Sequence, residues 1–110
     1  MDNGFMRFPS EIKKDIEFRL TGYLSRDRTG VRRELLALFL KIKSLTIPQI
    51  YEALRTRFVV SYHSVASMVG IIASKIGILR VIRNADGTNT LYELRDKYID
   101  LVQRIVAAPV

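Results

Sequence analysis

The chain has 110 residues, 48% of them hydrophobic, which suffices for one domain with its own core and is too apolar for extended disorder. The absence of cysteine excludes disulfides, thiolate metal sites and a cysteine nucleophile, and with no signal-like N-terminus it points to the cytoplasm. Eighteen Lys and Arg, mostly arginine, stand against eleven Asp and Glu for a net charge of +7, which favours a polyanionic partner; no apolar run approaches the roughly 18 residues that span a bilayer.

Residues 1–8 show no period and read as a loose lead-in, with Phe5 and Phe8 available to pack. Pro9-Ser10 opens a helix expected over 9–26, proline being tolerated in a first turn. Its apolar stripe is Ile12, Ile16, Leu20, Tyr23 and Leu24. Phe18 falls on the opposite side, where an aromatic is either plain surface or part of a subunit contact. A second helix is predicted from about Thr29 to Lys43. Val31, Leu35, Leu38, Phe39 and Ile42 form its stripe, and Leu36 and Leu40 widen it, so it is expected at the centre of the domain.

Thr46-Ile47-Pro48-Gln49 matches a capping box and starts a third helix, with Ile50, Tyr51, Leu54 and Phe58 on its buried face. Val59-Val60 turns the chain, Ser61 caps a fourth helix over 62–76, and Gly77 stands where a left-handed helix stop is wanted. The period then changes to two. ILRVIR and TLYEL flank NADGTN, whose Asp86-Gly87 is a hairpin signal. Leu79, Val81, Tyr92 and Leu94 are placed inward and Arg80 outward. Asp96 is the expected cap of a last helix, 96–107, burying Tyr98, Val102, Ile105 and Val106.

The fold class that results is mainly α with a small β-hairpin (α+β), in one domain over 1–110. It divides into a lead-in 1–8, an N-terminal helix 9–26, a core 29–94 and a C-terminal helix 96–107. Two short helices, a tight turn and then a hairpin on a basic chain are the layout of a winged helix-turn-helix. In that layout helix 62–76 enters the major groove of DNA and hairpin 78–94 is the wing.

On helix 62–76, Val65, Met68, Val69, Ile72 and Ile76 form the core face. The opposite face carries His63, Ser64, Ser67, Gly70, Ile71, Ser74 and Lys75. His63, Ser64 and Ser67 suit bases or phosphates, Ile71 a thymine methyl and Lys75 the backbone. The face has no Arg, Asn or Gln, the types that pair bidentately with guanine and adenine. Ala66, Gly70, Ala73 and Gly77 make a small-residue strip, for which a packed neighbouring helix is the preferred reason and DNA the other.

Arg80, Arg83, Asn84, Thr88 and Asn89 are the wing candidates, with contacts expected from the arms because Asp86 repels phosphate at the tip. Arg26, Arg28, Arg32 and Arg33 gather at the start of the second helix, where arginine opposes the helix dipole. They are read as phosphate contacts beside helix N–H groups left accessible by Thr29-Gly30.

SYHSVASMVGIIASKIGILRVIR resembles the winged helix-turn-helix family of prokaryotic and archaeal transcriptional regulators. More narrowly, the chain resembles a small group of winged-helix proteins from methanogens whose function is not established. TGVRRELLALFLKIKSLTIPQIYEAL fits the two preceding helices, so the resemblance covers about residues 29–107. It implies DNA binding through His63, Ser64, Ser67, Ser74, Lys75, Arg80 and Arg83; the missing base-reading forks depart from strongly site-specific members.

The expectation is therefore a regulator that binds double-stranded DNA as a homodimer, with its first and last helices as dimerisation elements. The alternative is a protein–protein interaction module using Ile71 and Phe18, and RNA binding ranks third for want of stacking aromatics. No enzyme chemistry is expected: His63 is the sole histidine, and no triad, metal-ligand pair or glycine-rich phosphate loop is visible. Neither a cofactor nor a small-molecule ligand nor a membrane is implied.

Overall fold

The structure is a computed structural model that describes residues 8–84 and 89–108. Helix α1, Pro9–Ser25, opens with the Glu11 side chain accepting a hydrogen bond from the Phe8 N–H at 3.3 Å. Ile16, Leu20, Tyr23 and Leu24 are buried as the stripe predicts, but Ile12 is exposed because the first turn overshoots the core.

Helix α2, Val31–Lys41, is shorter than expected at both ends. Gly30 takes φ 88°, a left-handed conformation open to glycine at little cost, and so fixes the start two residues late. At the other end Ile42 turns extended, which removes it from the buried stripe and leaves it 48% exposed. The chain then enters a strand that the hydrophobic pattern does not announce, β1, Ser44–Thr46.

Thr46 ends that strand and caps α3, Ile47–Leu54, by both halves of the capping box: its Oγ1 accepts from the Gln49 N–H, and Gln49 Oε1 accepts from the Thr46 N–H. Ser61 and Ser64 repeat the arrangement at the start of α4, Tyr62–Ile71. The last part of the expected fourth helix is not α but a π turn, Ile72–Ile76, closed by a bond from the Gly77 N–H to the Ile72 carbonyl at 2.9 Å. Gly77, at φ 86°, is the left-handed stop that the sequence requires.

Strands β2, Leu79–Arg83, and β3, Thr90–Leu94, pair antiparallel, from Leu79 opposite Leu94 to Arg83 opposite Thr90. The tip, including Asp86-Gly87 and Thr88, lies outside the described residues, as does Phe5. β1 pairs antiparallel with the other side of β3, giving a three-stranded sheet in the order β1–β3–β2 rather than a lone hairpin. Leu45, Leu79 and Leu94 are buried on the face towards the helices, whereas Val81, on the same face, is 38% exposed where the hairpin outruns the core.

The final helix is α5, Ile99–Ala107, entered through a 3₁₀ turn, Asp96–Tyr98. Asp96 is not its cap; the carboxylate instead forms an ion pair with Lys43. Leu101, Val102 and Ile105 are buried. The chain is thus mainly helical with a small antiparallel sheet, and one buried cluster draws on all five helices and all three strands. Both terminal helices belong to that cluster. Among the described residues no helix is long and apolar enough to cross a membrane.

Candidate nucleic-acid interface

Helix α4 is held from one side only. Val65, Val69, Ile72 and Ile76 are buried, and Tyr62 meets Tyr51 of α3 edge-on at 5.8 Å between ring centroids. His63, Ser67, Ile71, Ser74 and Lys75 are all exposed on the outward face. Their hydroxyl chemistry is thinner than expected. Ser64 is half-buried and engaged with Ser61, and the Ser74 hydroxyl donates to the Gly70 carbonyl at 2.6 Å, one turn back on its own helix. Ser67 and His63 show no such internal hydrogen bond among the described residues.

Gly70 corrects the expectation of a packed neighbouring helix. The space a side chain would enter there holds no atom within 4 Å. Nothing inside the fold accounts for a glycine here, one residue before α4 ends and the π turn begins.

The arginines at the start of α2 are also corrected. Asp27 fills the helix N-terminus, its two carboxylate oxygens accepting from the N–H groups of Arg32 at 3.1 Å and Arg33 at 3.0 Å. Thr29 Oγ1 accepts from the Val31 N–H at 3.3 Å, so no row of open N–H groups awaits phosphate. Arg32 donates to the Tyr23 carbonyl at 2.7 Å and lies 4.2 Å above the Tyr23 ring. Arg33 reaches across the molecule to the carbonyls of Ile105, Val106 and Ala108, closing the C-terminal end of α5 where a cation is favoured. These two guanidiniums hold the fold together. Arg28 remains exposed, and Arg26 is exposed with one bond to the Gly22 carbonyl at 3.0 Å.

Tyr23, between Arg32 and the core, buries a hydroxyl that has no hydrogen-bond partner. Burial raises its pKa above the ordinary phenol value, with nearby Arg32 opposing and Asp27 adding to the shift.

Arg80 and Arg83, expected to act together, are separated. Arg80 and Arg83 are three residues apart on one strand, so they stand on opposite faces of the sheet. Arg80 faces away from the helices, 3.8 Å from Glu93, in a polar cleft of about 360 Å³ with Lys43, Arg95, Asp96 and Lys97. Arg83 is on the helix side, opposite Thr90. Asn84 and Asn89 are exposed and joined by a backbone hydrogen bond of 3.3 Å.

Three of the expected residues are brought together. Arg26, Ile71 and Lys75 line a groove of about 340 Å³ between α1 and the end of α4, with Phe18, Arg19, Gly22, Tyr23 and Ile76. Arg19 is a residue the sequence reading missed; it lies seven residues, two helical turns, before Arg26 on the same side of α1. Among the described residues no group of three metal-ligating side chains is present.

A relative from Archaeoglobus fulgidus, described as an uncharacterized protein, is 40% identical over 93 residues, covering 84% of this chain and 93% of its own. No solved structure matches. A family profile matches residues 20–102, from the middle of α1 into α5, and the chain belongs to that family, described as protein of unknown function DUF2551.

Proposed function

We propose that the chain is a cytoplasmic winged-helix protein that binds double-stranded DNA as a homodimer and regulates transcription. The element order α2–β1–α3–α4–β2–β3 with strand order β1–β3–β2 supports the winged-helix reading. The observation that carries the DNA reading is the open strip of α4: His63, Ser67 and Gly70 face outward with no internal neighbour over the glycine. Bare backbone on a helix can approach a groove more closely than any side chain permits.

In this reading His63 and Ser67 meet base edges or phosphates, while Lys75, Arg28 and Arg83 meet the phosphate backbone. Arg32, Arg33, Ser64 and Ser74 have structural employment, and Arg80 faces the other side of the wing. With no bidentate base reader on α4, preference among sequences rests on duplex shape. The interaction-module reading remains the competitor.

The test is duplex affinity as a function of salt. Log K should fall against log [salt] with a slope of about −0.9 per phosphate neutralised, and Lys75→Ala should flatten it by about one such unit. Arg33→Ala should leave the slope unchanged. Absence of duplex binding at low salt would falsify the proposal and favour the interaction module.

A further inference from the structure

We infer that two copies of this chain pair antiparallel through α1, the Phe18 of each seated in the α1–α4 groove of the other. The inference deepens the homodimer part of the proposal above and rests on it, not on DNA binding. Phe18 is 81% exposed at the middle of α1, beside a groove lined by Gly22, Ile71 and Ile76. An aromatic knob and an apolar hole on one face are what a two-fold, self-complementary contact requires.

The charges agree. Glu11, Asp15, Phe18, Gly22 and Arg26 fall within about 80° of arc on the helix, at spacings of four, three, four and four. Lys14 falls on the other flank of this stripe. Acid therefore lies at the N-terminal end and arginine at the C-terminal end. An antiparallel copy centred between Phe18 and Arg19 sets residue 11 opposite 26 and 15 opposite 22. Arg26 then faces the partner's Glu11, and the partner's Phe18 arrives beside Gly22. A side chain at position 22 would meet only the Arg26 guanidinium, at 3.9 Å, so close approach is open.

The groove rim carries Arg19, Arg26 and Lys75, and no carboxylate lines it. A second copy supplies both an apolar group for the floor and an acid for the rim. A phosphate backbone would answer only the rim. The outward face of α5, by contrast, is Asp100, Gln103 and Arg104, with no exposed large apolar residue.

Sedimentation velocity on the full chain, across a range of concentrations, tests the seam. The wild type should dimerise, and Phe18→Ser should raise the dimer Kd at least tenfold with the thermal melt of the monomer unchanged. Glu11→Arg and Arg26→Glu should each weaken the dimer, and the double variant should recover most of the loss. Recovery distinguishes a direct cross-seam pair from damage to α1, because the double variant carries both local losses. A dimer indifferent to these changes, or a double variant no better than either single, overturns the seam and leaves the homodimer standing. A monomer at every concentration overturns both, while the duplex titration still judges DNA binding.

Discussion

Gly70 lies inside a helix, where glycine costs about 1 kcal/mol relative to alanine, and no neighbour needs the room. Gly70→Ala is therefore expected to raise stability by about 0.5–1 kcal/mol in chemical denaturation. The same methyl group should lower duplex affinity several-fold, since it stands where the backbone would meet the groove. Stabilisation with unchanged duplex affinity would place any DNA elsewhere. The arginines teach a different lesson. Their abundance is plain in the sequence, yet Arg32 and Arg33 answer carbonyls at Tyr23 and beyond Ile105. The Asp27 carboxylate, five and six residues earlier, takes the N–H groups that seemed open. A basic cluster near a helix start says that anionic or carbonyl oxygen is wanted, not that the oxygen comes from outside. Only the approach of α5, 72 residues away, decides it.

At the scale of elements, capping chemistry and apolar stripes were legible and geometry beyond them was not. Thr46-Gln49, Ser61 and Gly77 each do locally what their types imply, so α3 and α4 start where expected and the chain leaves the helix at Gly77. But α3 ends at Leu54, short of Phe58, and a π turn takes the place of the last part of the fourth helix. β1 is three residues long, too short for a period of two to register, and exists because β3 offers it an edge. The pairing of α1 with α5 is equally silent in sequence. It is fastened by Arg104, which donates to both oxygens of Glu17 at 3.1 and 3.3 Å. Those hydrogen bonds hold the Glu17 carboxyl below its usual pKa, against desolvation and with a lesser contribution from the Arg104 charge. A carboxyl pKa lowered by folding contributes stability above the ordinary carboxylate value and loses it as pH falls through the lowered one. In Arg104→Gln the Glu17 midpoint, followed by the NMR shift of its side-chain carbonyl, should rise toward the ordinary value. An unmoved midpoint would mean that the bridge is absent in solution.

For the whole molecule, the class of fold was readable because one set of apolar positions serves every element, from Ile16 to Ile105. What the sequence could not tell is which face of the assembled body each polar residue would join. Arg80 and Arg83 look like one patch in the chain and stand on two sides of a sheet. That separation has a bearing on colloidal behaviour. In the order β1–β3–β2, the strand Leu79–Arg83 is an edge with an unpaired row of backbone groups. Such an edge, built from leucine, valine and isoleucine, is a template for intermolecular strand addition. With one guanidinium on each face of the strand, a chain adding to this edge meets a charge on either side of the sheet. Arg80→Val/Arg83→Val should keep the helical circular dichroism and scatter light on mild warming, where the native chain stays clear. The hairpin is then also a guarded edge, whatever it touches.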